Sequence, residues 1–339
     1  MTAIRLLSVV LWINTLTQFS YSQHVPIVIA HRGASGYLAE HTEGAKVLAI
    51  AQGADFVEQD LVLTRDRVFV VSHDTQLDHI SNVATRFPDR HREDGHYYFA
   101  DFDWPEIRTL SIVERSLFQQ AESTRFPSRI DQRFLRLEDE IQLVHGLNQT
   151  LNKQVGFYME LKSPAWHKQE FGVRMSDLLL PILSEYGLTG PNNRCFIQCF
   201  EPAELQYLKF DLGCKLPLIQ LMGNQPLGLG KPAGSDAAIG DRQLIADLLE
   251  VGKYAHGIGP SLNSLVAPSE SNAIESSGLV ETARSMKLQV HPYTVRVDSL
   301  PTWARSVDHL HSILLDELKV DGFFTDFPDT GRQAVDKRK

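Results

Sequence analysis

The sequence predicts an α/β protein built as a TIM-type (β/α)8 barrel with a long insertion after the second βα region. Three observations carry that prediction. Short β-branched runs alternate with helical patterns along most of the chain, as parallel βα units require. The strand candidates number eight parallel ones and one hairpin partner, enough to close a barrel. The 339 residues accommodate a barrel of about 250 residues with insertions as one domain.

In chain order, strands are expected at 26–30, 56–63, 68–73, 156–161, 195–200, 216–222, 254–258, 288–294 and 322–325. Helical patterns lie between most of them, at 42–52, 137–151, 170–186, 202–210, 242–251, 271–286 and 307–318. The alternation breaks from residue 74 to about residue 130, a stretch rich in charge and aromatics ("RFPDRHREDGHYYFADFDW"). Loops of this length in compact domains are usually functional or disordered; this one reads either as a folded cap near the barrel mouth or as a solvated surface insertion. A second loop, 223–241, is rich in Gly and Pro.

Residues 1–22 follow another logic: one basic residue, Arg5, then the apolar run Leu6 to Ile13, then polar residues ending at Ser22. That order is the pattern of a secretory signal peptide, and the run is far shorter than the ~20 residues of a membrane span. The domain organisation expected is therefore a signal peptide over 1–22 and one barrel domain over 23–339. Cleavage after Ser22 removes Arg5 and takes the formal charge from −9 to −10. Such an acidic chain is poorly suited to hold nucleic acid or an anionic membrane by bulk electrostatics. Cys195, Cys199 and Cys214 are an odd set, read first as small core residues rather than a disulfide framework.

In a parallel barrel the C-terminal strand ends share one rim, and chemistry collects there. His31 and Arg32 end the first strand. Glu58 and Asp60, two apart in "DFVEQDLVL", point to one face while Val57, Gln59 and Leu61 point to the other. His73 ends "VFVVSHD", and Glu160 and Lys162 repeat the i, i+2 spacing in "GFYMELK". Three acids in one cavity need a cation. An all-oxygen set of Glu58, Asp60 and Glu160 suits a hard divalent ion, Ca²⁺ or Mg²⁺, rather than zinc. With Arg32 and Lys162 added, the cavity suits a phosphate, and two histidines flanking a phosphodiester form an acid/base pair. Tyr293 shares a face with Gln289 and His291 and is expected either to line the glycerol or head-group side or to pack in the barrel.

The motifs "HRGASGYLAEHT", "GADFVEQDLVLTRD", "VFVVSHD", "FYMELK", "HPYTVR" and "DGFFTDFPD" closely resemble those of the glycerophosphodiester phosphodiesterases, in particular their exported bacterial branch. The likeness runs from about Val25 to Asp329. It implies a TIM-type barrel that hydrolyses glycerophosphodiesters, such as glycerophosphocholine or glycerophosphoethanolamine, to sn-glycerol 3-phosphate and an alcohol. By the same resemblance the metal carboxylates fall on Glu58, Asp60 and Glu160, the paired histidines on His31 and His73, and the phosphate-contacting cations on Arg32 and Lys162. Calcium is the implied cofactor, with Mg²⁺ admitted, and a periplasmic home follows, with secretion as the alternative. The chain departs from the family at Ala39, where a proline is common, a change that loosens a turn without removing a chemical group. Glu40 is expected either to orient a histidine or to complement a helix dipole, and His41 is expected to face solvent.

Two competing readings remain at this level. A phospholipase C- or D-like enzyme would need apolar or basic rim loops to meet a membrane. A binding protein that had lost turnover could dispense with His31 or His73, yet this chain has both.

Overall fold

A computed structural model describes residues 25–114, 131–223, 227–228, 239–267 and 274–339. The signal sequence expected over 1–22 lies outside the described residues, as do parts of the 74–130 insertion and of the 223–241 loop.

The chain opens with β1 (Ile27–Ala30), α1 (Glu43–Ala51), β2 (Phe56–Leu63) and β3 (Phe69–Val71). After the insertion, with its short helices α2 (Val83–Arg86) and α3 (Trp104–Ile107), come α4 (Leu137–Leu151), β4 (Gly156–Leu161), α5 (Pro164–Phe171) and α6 (Met175–Glu185). Then follow β5 (Cys195–Cys199), α7 (Pro202–Gln206), β6 (Leu218–Met222), α8 (Ile239–Val251) and β7 (Gly257–Pro260). A small antiparallel ribbon of β8 (Val266–Ala267) and β9 (Glu275–Ser276) precedes α9 (Leu279–Ser285), β10 (Gln289–Val290), α10 (Val307–Ser312), β11 (Gly322–Thr325) and α11 (Pro328–Asp336).

Eight strands lie in the order β10-β7-β6-β5-β4-β2-β1-β11, each pair parallel, and β3 folds back antiparallel onto β2. The two ends of that order meet. Asp321 N donates to Val290 O at 3.1 Å and Phe324 N to Pro292 O at 2.9 Å, which closes the barrel. Beneath the rim its interior is filled by Ile29, Phe56, Tyr158, Ile219 and Phe324. Gly156 is required there, since a Cβ would lie 2.4 Å from the Phe56 ring. Outward-facing strand residues such as Val57, Leu61, Phe157 and Met159 pack with α1, α4 and α6 into the larger core between sheet and helices.

Most expected elements recur with trims, but the strand expected at 254–258 is displaced to β7 (Gly257–Pro260), and of the helix expected at 271–286 only α9 forms among the described residues, Glu275–Ser276 pairing as β9 instead. The strand expected at 288–294 shortens to β10 because Pro292 has no N–H to continue a ladder, and Pro217 likewise delays β6 to Leu218. The single helix expected at 170–186 is two, because Gly172 ends α5 in the left-handed region at φ +69. The described part of the insertion is folded, packed on the β2–β3 hairpin. Leu77, Ile80, Val83, Tyr97, Phe99, Phe102, Ile107 and Leu110 are buried together against Val62 and Val70 of the β2–β3 hairpin. Arg92 ties it to α5: the guanidinium pairs with Asp101 and with Glu170 at 2.8 Å and lies 4.3 Å over the Tyr98 ring, which stacks on Trp166. Cys195, Cys199 and Cys214 are buried free thiols. Among the described residues no helix is long and apolar enough to cross a membrane.

Candidate active site

A cavity of about 150 Å³ opens at the C-terminal rim of the barrel. His31, Arg32, Glu58, His73, Glu160 and Lys162 line one side, and Phe200, Leu221, Tyr293 and Phe324 form an apolar wall. The positions expected from sequence, Asp60 included, thus come together around one space, with Asp60 buried just behind its lining.

The turn after β1 is built for close approach. Arg32 takes φ +56, uncommon for a residue with a Cβ, and this aims its N–H at Glu58 Oε2, 2.7 Å away. Gly33 follows at φ +87, where a Cβ would sit 2.8 Å from the main chain of Ala45. Thr42 then caps α1 by accepting from Ala45 N.

Each histidine of the cavity leans on an aspartate. His31 donates from Nδ1 to Asp326 Oδ1 at 2.6 Å, and His73 donates from Nδ1 to Asp74 Oδ1 at 2.6 Å. Both rings are therefore fixed with Nε2 left for other work. Burial opposes the charge of His31, but the nearby carboxylates of Glu58 and Asp326 leave its pKa raised. Burial and then the Arg32 charge lower that of His73.

The acids are crowded and buried. Burial and then the Asp60 charge push the Glu58 carboxyl up. Burial, and beyond it the charges of Asp60 and Glu58, do the same to Glu160 despite its ion pair with Lys162 Nζ at 2.7 Å. Asp60 resists burial because Lys162, then His41 and His73, hold its carboxyl well below the usual range. Arg32 bridges to Glu40 at 2.9 Å and approaches Asp60 at 3.6 Å. Gln198 Nε2 donates to Glu58 Oε1 at 3.2 Å, and Tyr293 presents its ring to the cavity while its hydroxyl donates to Met222 O.

One expectation is corrected here. His41 does not face solvent: it is 2% exposed and donates from Nε2 to Asp60 Oδ2 at 2.8 Å. Its own φ of +57 turns it inward, and burial pushes its pKa down to about 3, so the ring is neutral. Glu40 accepts from Arg32 Nη1 at 2.9 Å, a role that neither expectation for it named. The residues that sequence reasoning missed are Asp326, Asp74 and His41. All three stood inside quoted motifs ("FTDFPD", "SHD", "AEHT") beside residues already singled out.

Part of the expected donor set fits a hard divalent cation. Asp60 Oδ1 is buried and accepts no hydrogen bond; among the described residues the ligand atoms that fall within 4.8 Å of one another come from Glu58, Asp60 and His41, and Glu160 stands outside that group, its carboxylate paired with Lys162. The upward push on Glu58 and Glu160 comes first from burial and then from neighbouring carboxylates, and a bound cation would offset both.

The sequence profile of the glycerophosphoryl diester phosphodiesterase family matches residues 31–330. A glycerophosphodiester phosphodiesterase of Haemophilus influenzae is 38% identical over 326 residues, covering 90% of this chain and 88% of that protein. One from Treponema pallidum is 34% identical over 328 residues and covers 92% of each. Among solved structures, an Oleispira antarctica phosphodiesterase in complex with the product sn-glycerol-3-phosphate aligns with a TM-score of 0.59 at 18% identity, over 92% of this chain and 97% of that one. The glycerophosphodiester phosphodiesterase of Agrobacterium tumefaciens aligns at 0.57 and 18%, over 90% and 97%.

Proposed function

The chain belongs to the glycerophosphoryl diester phosphodiesterase family, and from that premise we propose how this phosphodiesterase works and on what. Its substrates are water-soluble glycerophosphodiesters such as glycerophosphocholine and glycerophosphoethanolamine, cleaved to sn-glycerol 3-phosphate and an alcohol. The observation that carries this reading is that two histidines, each held by an aspartate, line the same cavity as Glu58, Glu160, Arg32 and Lys162, with Asp60 just behind.

Arg32 and Lys162 bind the phosphodiester, the first as a planar fork and the second as a point charge. Glu58, Asp60 and Glu160 would hold Ca²⁺, which when bound neutralises charge on the phosphate. His41 keeps Asp60 oriented by its hydrogen bond. His31 takes the proton from the attacking oxygen through Nε2, with Asp326 fixing the ring, and His73 gives a proton to the departing alcohol, with Asp74 fixing that ring. The attacking oxygen is water or the neighbouring hydroxyl of the glycerol; the second route gains from proximity and passes through a cyclic phosphate. Tyr293 and Phe200 wall the side where the carbon skeleton lies. The reading includes export: the basic, apolar and small order of residues 1–22 suits removal after Ser22 and delivery to the periplasm or beyond.

The test is release of sn-glycerol 3-phosphate from glycerophosphocholine after chelation, with and without Ca²⁺ restored. His31→Ala and His73→Ala should each lose roughly 10²–10⁴-fold in turnover. Near-normal rates in both variants, or indifference to chelator in the parent protein, would remove the corresponding part of the reading.

A further inference from the structure

Behind the strands that carry the carboxylates lies a second polar cluster that never touches the cavity. Glu58 and Asp60 face the barrel interior, so Gln59 between them faces the helices. There it meets Lys46 of α1 and Glu140 of α4, both wholly excluded from solvent. Lys46 Nζ pairs with Glu140 Oε1 at 2.9 Å and donates to the main-chain carbonyl of Glu58. Gln59 Nε2 donates to the same Glu140 oxygen at 2.7 Å. On its other side, Gln59 Oε1 accepts from the main-chain N–H of Tyr158 at 3.1 Å. Tyr158 lies on β4, opposite Glu58 in the ladder and two residues before Glu160.

A fully buried ion pair is a poor stabilising device. Desolvating the two ions offsets most of their attraction, and apolar residues of similar volume often serve the fold as well. This pair's distinguishing feature is its attachment. Its ammonium grips the backbone of Glu58, and its carboxylate, through Gln59, reaches the backbone of β4. The cluster therefore spans both strands that bear Glu58, Asp60 and Glu160.

We propose that Lys46, Glu140 and Gln59 are positioning residues, a clamp outside the barrel that fixes β2 against β4 so that the three carboxylates converge on one divalent cation. The inference rests on the cation reading above. Outer partners of this kind typically change metal affinity by roughly 10–100-fold when lost.

The experiment is calorimetric titration of chelated protein with Ca²⁺, run beside thermal melting. The double variant Lys46→Met/Glu140→Leu removes both charges at once and leaves no unpaired ion buried. The expected result is a melting midpoint near the parent's with Ca²⁺ affinity weakened roughly 10–100-fold, and turnover that recovers as Ca²⁺ is raised. Parent-like Ca²⁺ affinity in that variant would overturn the clamp, because a merely structural pair would be replaced without consequence at the cation site. Should the double variant fail to fold, Gln59→Met serves instead: it keeps the ion pair and cuts only the link to β4. Its Ca²⁺ affinity should drop about tenfold, and an unchanged affinity would again overturn the proposal. A parent protein that neither binds Ca²⁺ nor responds to chelation would remove the cation reading itself, and the clamp's purpose with it.

Discussion

Asp326→Asn exchanges one carboxylate oxygen for an NH2 group and removes the charge that His31 shares with Arg296, 3.3 Å away on the other oxygen. The carboxylate accepts from His31 Nδ1 at 2.6 Å, a charge-assisted bond in which only the imidazole can donate. An asparagine there can turn its amide N–H toward Nδ1 and favour the tautomer protonated on Nε2, the nitrogen that must accept a proton. Loss of a charge-assisted hydrogen bond is worth about 2 kcal/mol, roughly thirtyfold in rate. The wrong tautomer adds to this, so the expected fall in kcat is roughly 10²–10⁴-fold, with little change in KM. The pH profile gives an independent readout. Glu58 and Asp326 raise the His31 pKa against burial, so removing the Asp326 charge must shift the limb set by His31 toward lower pH. The assay is steady-state release of sn-glycerol 3-phosphate across pH. A kcat within twofold of the parent, or an unmoved limb, would refute the pairing as a working part of the site.

Three further outcomes follow from the same geometry. Gly33→Ala should cost roughly 1–3 kcal/mol of stability, read as a lower urea midpoint, since φ +87 and a Cβ 2.8 Å from Ala45 leave it no relaxed position. His167 and His311 are buried with their pKa values pushed down to about 4 by desolvation. Unfolded chains therefore bind the proton first: these residues' contribution is complete above about pH 6.5 and is lost as pH falls toward 4, about 2 kcal/mol each by pH 5. Comparing the pH 7 to pH 5 stability loss of His167→Gln with that of the parent should show the variant losing less, and equal losses would contradict the assignment. Arg92→Ala should expose the insertion to limited proteolysis well before the barrel melts, because that guanidinium joins Asp101, Glu170 and the Tyr98 ring; an unchanged cleavage pattern would show the insertion is held by other contacts.

What was legible in the sequence is what has a period. Residues two apart on a strand share a face, so Glu58 with Asp60 and Glu160 with Lys162 could be placed on one rim before any coordinates. The strands at 56–63, 156–161 and 322–325 match β2, β4 and β11 to the residue, whereas the one expected at 254–258 lies three residues early. His41 could not be read this way. It sits in a turn without repeat, and a positive φ decides which way it points. Lys46 and Glu140 were equally hidden, since a lysine and a glutamate near helix starts ordinarily read as solvated charge, and only packing of α1 and α4 on Gln59 shows otherwise.

The two His–Asp pairs differ in what maintains them, and the difference follows from barrel topology. His73 and Asp74 are neighbours in the chain, so their pairing depends on local backbone alone. His31 and Asp326 stand 295 positions apart and meet because Ala30 of β1 lies opposite Thr325 of β11. That register exists only when the last strand has docked on the first, and α11 supports the docking: Gly331 packs under Val28, and Arg332 reaches Asp55 at 3.2 Å. The carboxylates on β2 and β4 need neither β11 nor α11. An incompletely closed barrel would thus keep its acidic cluster and its second histidine pair while leaving His31 unoriented, which ties the acid/base chemistry proposed here to closure of the whole fold rather than to any single βα unit.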